Sequence, residues 1–165
     1  MARRLAAGST KIPRVIVGRG SYTQIAQKVM MGTGSGTEMI WQALQGNSQS
    51  KGTFTVPQNS WTDLLTHTIV GNGYASITAN YQWGVDALQW LNFNRQVRLL
   101  VNGAVVASNT WTGSTAGWTV ALNDGPKDYF DGDVIKMQAY VNGTGRASAR
   151  NVDSSSLWLS PTYHA

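Results

Sequence analysis

The chain has no cysteine among its 165 residues, which excludes disulfide staples and thiolate metal centres. Charge is scarce as well: 13% of residues are Asp, Glu, Lys or Arg, against roughly 25% in ordinary soluble domains. The two histidines, His67 and His164, lack a companion at metal-ligand spacing, and an enzyme or zinc site would need converging groups of that kind. No apolar run approaches a membrane span, and Leu5-Ala6-Ala7 after the basic start is too short for a signal-peptide core. The expectation from these absences is a non-enzymatic protein without cofactor, made and assembled in a cytosol and independent of membranes.

What replaces charge is glycine, serine, threonine and asparagine, together with seven Trp and six Tyr. That mixture suits many short strands joined by tight turns, and interfaces where charge is costly. The basic groups are unevenly placed. Arg3, Arg4, Lys11, Arg14, Arg19 and Lys28 all precede the first acidic residue, Glu38. The first 37 residues therefore carry +6, and the seven basic and eight acidic groups that follow leave −1. Attraction to an acidic partner belongs to the N-terminal part. That part has no aromatic interleaving and no dense basic run, so nucleic acid is not the expected partner.

Residues 1–11 read as a basic, flexible arm. Ile12-Pro13-Arg14-Val15-Ile16-Val17-Gly18 and Ile25-Ala26-Gln27-Lys28-Val29-Met30-Met31-Gly32 then place two apolar clusters fourteen residues apart, and Met39-Ile40-Trp41 adds a third. Three short strands, each ended by glycine or polar turn residues, follow from this pattern. A meander of that size is below what folds stably alone, so it packs either on the following domain or on other subunits. The candidate anchoring residues are Arg3, Arg4, Lys11, Arg14, Val15, Val17, Val29, Met31 and Trp41. The glycine-rich Gly32-Thr33-Gly34-Ser35-Gly36 lacks the spacing and the lysine of a phosphate loop, and reads as a turn.

Residues 45–52 carry no apolar side chain and read as a linker. Residues 53–165 then show strand-like runs at sandwich spacing: 53–56, 64–70, 74–83, 95–101, 104–108, 117–122, 133–141 and 156–160. Asn102-Gly103 is the strongest hairpin signal, and Asn123-Asp124-Gly125-Pro126 reads as a turn. In 133–141, Ile135, Met137, Ala139 and Val141 form a wholly apolar face that should point to the core. Residues 85–94 fit a helical turn, a loop or an irregular strand. The fold class is all-β: a short-strand meander followed by a single antiparallel, jelly-roll-like sandwich.

Asp124, Asp128, Asp131 and Asp133 form the one acidic cluster. Asp128, Asp131 and Asp133 are weak cation candidates, because a calcium loop would need glutamate at the twelfth position and residue 139 is alanine. Turn formation is the alternative use of the same residues. Among the aromatics, Trp61, Trp83, Trp111 and Trp158 are candidates for glycan stacking or interfaces, while most tryptophans in a small sandwich are core. Trp158, between Leu157 and Leu159, must face opposite to both.

The N-terminal pattern, Ile12 to Gly18, Lys28 to Gly32 and Met39-Ile40-Trp41, resembles a short repeat of minor tail proteins in long-tailed phages of actinobacterial hosts. Phe54-Thr55-Val56, Arg98 to Gly103, Phe130 to Ile135 and Leu157-Trp158-Leu159 resemble the jelly-roll domains of phage fibres and C1q-like trimers. The resemblance implies a virion component assembled in the host cytoplasm, anchored by residues 1–44. Its partners would be other virion structural proteins of the tail hub, tail tube or capsid. It also implies a homo-oligomer, a trimer by analogy, with a host-surface glycan as a further candidate partner. A capsid decoration or head-fibre protein, or a carbohydrate-binding module, are the alternatives.

Overall fold

Period-two alternation marks most of the described strands from residue 47 onward, and they build a two-sheet sandwich. The computed structural model describes residues 6–7, 10–11, 16–19, 22–25, 28–33, 36–84, 93–113, 117–143 and 149–161. Its strands are β1 (Ala6–Ala7), β2 (Thr10–Lys11), β3 (Ile16–Arg19), β4 (Tyr22–Ile25), β5 (Lys28–Thr33) and β6 (Gly36–Gln42). The sandwich comprises β7 (Asn47–Lys51), β8 (Phe54–Pro57), β9 (Thr62–Thr68), β10 (Gly73–Trp83), β11 (Phe93–Val101), β12 (Ala104–Gly113), β13 (Trp118–Tyr129), β14 (Val134–Gly143) and β15 (Ala149–Pro161).

One sheet runs β13-β10-β15, with both β7 and β8 paired to the long β15; the other runs β12-β11-β14-β9. All of these ladders are antiparallel. From β8 onward the partners are β8 with β15, β9 with β14, β10 with β13 and β11 with β12. That nesting is one long hairpin rolled over itself, the jelly-roll arrangement. Its tip is Asn102-Gly103, where φ is +51° and +82°, as a two-residue hairpin turn demands.

Inward positions make the core. Ala75, Ile77, Ala79, Tyr81 and Trp83 of β10 face Val97 and Leu99 of β11 and Ile135, Met137, Ala139 and Val141 of β14, all buried. The apolar face expected on residues 135–141 is the inner face of β14. Tyr81 Oη donates to the Arg98 carbonyl at 2.8 Å, tying one sheet to the other. Burial raises the Tyr81 phenol above its ordinary range, so it stays a neutral donor.

Two boundaries differ from the sequence expectation. Residues 45–52 are not a linker: Asn47 to Lys51 pair with Leu159 to Ser155. A strand at the sheet margin can be wholly polar, because backbone bonds hold it and only one face meets the protein. Residues 123–126 are not a turn between strands either. β13 runs straight through them, and its register against β10 slips between Ala75 and Ile77. Gly125, at φ +98°, absorbs the slip, and a Cβ there would stand 2.7 Å from the Ala75 carbonyl oxygen.

The chain enters the sandwich through a clasp. Leu44 N–H donates to the Asn72 carbonyl (2.9 Å) and Gln45 N–H to that of Val70 (3.0 Å), while Asn72 N–H donates to the Gln42 carbonyl (2.8 Å). Gly71, at φ +86°, lies beneath this crossing; a Cβ there would overlap the Ala43 carbonyl oxygen and sit 2.9 Å from Leu44 N. The acidic turn closes the far side. Asp131 Oδ1 accepts from Gly71 N–H at 3.0 Å, and Asp131 N–H donates to Asn72 Oδ1 at 3.1 Å. Ala43 and Leu44 are buried there, so the sandwich begins ahead of residue 45.

Upstream of the clasp lie three two-stranded pieces, and among the described residues each pairs only within itself: β1 with β2, β3 with β4, β5 with β6. The expected three-strand meander is instead a run of hairpins. The first falls within the arm expected to be flexible. The segment from Ile25 to Gly32 is divided between β4 and β5 rather than forming one strand.

Candidate functional site

The outer face of the larger sheet is built from the alternate residues that the core leaves outside. One row across four strands reads Ser48, Trp158, Thr78 and Asn123; the next reads Ser50, Ser156, Asn80 and Ala121. A third carries Ser154, Gln82 and Thr119. Hydroxyls and carboxamides pair across strands: Thr78 Oγ1 with Asn123 Oδ1 at 3.0 Å, Asn80 Nδ2 with Ser156 Oγ at 3.3 Å, and Ser154 Oγ with Gln82 Oε1 at 3.1 Å. No ionisable side chain stands in these three rows. A groove of about 410 Å³ runs over the second and third rows, bordered by Lys51 and Gly52. The Lys51 ammonium is drawn aside, 3.7 Å from the centre of the Phe54 ring. Trp158 stands in the row beside the groove with 53% of its surface exposed.

The outer face of the other sheet has the opposite chemistry. The Lys136 ammonium contacts Asp63 Oδ2 at 2.8 Å, and Gln138 Nε2 donates to Asp63 Oδ1. The Lys136 hydrogen bond, with that of Gln138, holds the Asp63 carboxyl below its ordinary range, against partial desolvation. Arg98 Nε donates to Gln138 Oε1 at 2.7 Å, and its guanidinium covers the Trp61 ring at 3.8 Å. Trp61 also packs on Tyr140, with ring centres 5.2 Å apart. These groups are spent on one another.

The four candidate tryptophans therefore separate. Trp83, 1% exposed, is core and cannot meet a ligand; its inward place on β10 overturns the expectation for it. Trp61 is capped by Arg98. Trp111, on β12, is half-buried under the guanidinium of the buried Arg95, 4.8 Å from its ring. Trp158 alone of the four is more than half exposed, as its place between Leu157 and Leu159 requires.

The acidic cluster is structural wiring. Asp133 Oδ1 accepts from Asn102 Nδ2 at 3.1 Å and Oδ2 from Phe130 N–H at 2.7 Å, which ties the hairpin tip to the start of β14. Asp124 Oδ2 takes both the Tyr129 hydroxyl (2.8 Å) and the Lys127 ammonium (2.7 Å). Asp131 belongs to the clasp and Asp128 is exposed opposite Tyr74. Among the described residues no group of three or more His, Cys, Asp or Glu converges on a metal position. His67 Nδ1 lies 3.2 Å from Asn47 Nδ2 and 3.3 Å from Gln49 Nε2, bridging β9 to β7 of the other sheet. Burial lowers its pKa, keeping it a neutral acceptor.

Of the anchoring candidates, Arg3, Arg4, Arg14 and Val15 lie outside the described residues, and Lys11, Val17, Met31 and Trp41 are placed by backbone alone. Val29 is half-buried opposite Trp41, while Met30, beside it, is half-exposed. The fourteen-residue repeat is real as backbone pairing. Ile16↔Ile25, Val17↔Gln24, Gly18↔Thr23 and Arg19↔Tyr22 are matched fourteen residues on by Met30↔Met39, Met31↔Glu38, Gly32↔Thr37 and Thr33↔Gly36. β1 and β2 share the two-residue connection, Ala7↔Thr10, but lie twelve rather than fourteen residues ahead of Arg19↔Tyr22. The residues between the paired strands are Gly8-Ser9, Gly20-Ser21 and Gly34-Ser35. Reading the repeat from the apolar clusters hid these; Gly-Ser between short strands is the signal that would have found them. Of residues 85–94, which fit a helical turn, a loop or an irregular strand, Phe93 and Asn94 open β11, while 85–92 and His164 lie outside the described residues.

No family model matches the chain, and no curated protein matches it. Among solved structures it is similar to the structure of infectious bursal disease virus Gx strain (11% identity, TM-score 0.47, 87% of this chain and 40% of that one). It is similar also to the VP2 subviral particle of infectious bursal disease virus (10%, TM-score 0.43, 86% and 41%). A third similarity is to a family 35 carbohydrate-binding module from Clostridium thermocellum (12%, TM-score 0.34, 67% and 90%). The chain spans about 40% of the length of the first two.

Proposed function

We propose that this chain is a non-enzymatic structural component of a virion, a minor tail or tail-tip protein anchored by its N-terminal hairpins and displaying its jelly roll. One observation carries the reading: β3-β4 and β5-β6 repeat one register, and each described hairpin pairs its strands only with one another, Gln42 at the end of β6 reaching the clasp. A lone two-stranded hairpin is marginal in water, so a series of them completes itself on neighbouring subunits, by strand addition or by docking. The basic charge concentrated in the first 37 residues favours an acidic seat for them, and half-exposed Met30 offers apolar surface to bury there. The sandwich then assembles as a cyclic homo-oligomer, a trimer on the resemblance of its strands to fibre domains.

Incorporation into particles tests this. Full-length chains carrying Val17→Pro and Met31→Pro lose strand pairing in two hairpins; they should fold their sandwich yet be absent from purified virions. Normal incorporation would refute the anchor. Immunogold labelling of the wild-type chain at the tail supports the tail assignment, and labelling over the capsid replaces it with a decoration role.

A further inference from the structure

We propose that the outer face of the β13-β10-β15-β7 sheet binds a neutral oligosaccharide, with Trp158 as the stacking platform and the Ser156–Asn80 row as its hydrogen-bonding floor. The site stands on the sandwich alone and not on where the chain is assembled.

Three features point to that ligand class. First, Trp158 is exposed by construction: Leu157 and Leu159 are buried on either side of it, so alternation forces the indole outward. Its flanking row-mates Ser48 and Thr78 are small, which leaves the ring uncovered, unlike Trp61 beneath Arg98. An indole with an apolar face and one N–H suits the apolar face of a pyranose ring edged by hydroxyls. Second, the adjacent row lies ~6.7 Å away, two residues along the strand, and consists of hydroxyl and carboxamide groups. Asn80 uses one N–H on Ser156 Oγ and keeps an acceptor and a second N–H. Groups that both donate and accept match sugar hydroxyls, which do the same. Third, the face is grooved and its three rows are uncharged, with Lys51 at the border turned onto the Phe54 ring. Its groove of about 410 Å³ falls in the range of small-ligand sites, and an acidic glycan would find no counter-charge in these rows.

A second copy of this chain is the competing occupant, and the composition argues against it. Protein interfaces gather aromatics, Met and Arg and are depleted in serine, whereas this face is serine, threonine and asparagine around a single indole.

The test is an array of neutral and acidic bacterial and plant polysaccharides probed with the labelled full-length chain, followed by calorimetry on an oligosaccharide of the best neutral polymer. Binding to neutral glycans is expected, with Trp158→Ala weakening it about tenfold or more and Asn80→Ala about fivefold. Trp61→Ala on the opposite face should leave affinity unchanged. Asn80→Arg, which fills the groove without removing the indole, should also abolish binding. No neutral glycan bound at millimolar concentration, binding confined to acidic glycans, or unchanged affinity in Trp158→Ala would each overturn the proposal. So would a fall in oligomer mass for Trp158→Ala by light scattering, which would make the face a contact between copies. None of these outcomes bears on virion incorporation, which the hairpin variants read separately.

Discussion

Replacing Gly71 by alanine should cost far more than replacing Gly103, although both glycines have nearly the same positive φ, +86° and +82°. A left-handed alanine loses about 1–2 kcal/mol at either site. At Gly103 nothing stands within 4 Å of the added methyl, so the cost ends there. At Gly71 the methyl occupies the position of the Ala43 carbonyl. The segment must lift, and the three backbone bonds linking Gln42, Leu44 and Gln45 to Val70 and Asn72 go with it. Each is worth about 1 kcal/mol net, and partial exposure of Leu44 adds to the loss, so Gly71→Ala should destabilise by about 4–6 kcal/mol. Urea unfolding of both variants measures the difference, and amide exchange at Leu44, Gln45 and Asn72 locates it. A gap below about 1 kcal/mol between the variants, or unchanged protection at those amides, would refute the clasp.

Acidification should weaken the sandwich through His67. Burial sets its folded pKa below the ordinary value of 6.5, so the unfolded chain takes the proton first. Stability is full above pH 6.5 and declines as pH falls through it toward the folded pKa, because the unfolded chain gains the proton while the folded imidazole stays neutral toward Asn47 and Gln49. His67→Gln should flatten the urea midpoint between about pH 7.5 and 5.5; an equal slope in both proteins would remove His67 from the account. Asp133→Ala should cost about 2–3 kcal/mol, because it removes the carboxylate that accepts from Phe130 N–H and Asn102 Nδ2. A thermal midpoint within about a degree of wild type would show that the turn holds without it.

What the sequence made legible was whatever burial writes into side chains. The alternation of Ile135, Met137, Ala139 and Val141 named the inner face of β14, and Asn102-Gly103 marked the tip of the rolled ribbon. β7 escaped because Asn47 to Lys51 is held by backbone bonds to β15, which leave no hydrophobic trace. Trp83 and Trp158 look alike as residues; only register decides that one fills the core and the other meets solvent. Gly125 resembled a turn glycine because a bulge and a turn require the same backbone freedom. The hairpin repeat shows as spacing, but its apolar clusters point to three strands, and only the Gly-Ser pairs between the paired segments mark hairpins.

The clasp also decides how the molecule bears load. Tension on the N-terminal hairpins would reach residues 42–45 before it reached β7. The first bonds stressed would be those to Val70 and Asn72, backed by Asp131 through Gly71. Pulling would therefore be shared between the β9–β10 turn and the Asp131 turn instead of peeling β7 from its edge one residue at a time. A tether joined in this way yields late and abruptly, and the jelly roll stays whole while the hairpins are strained.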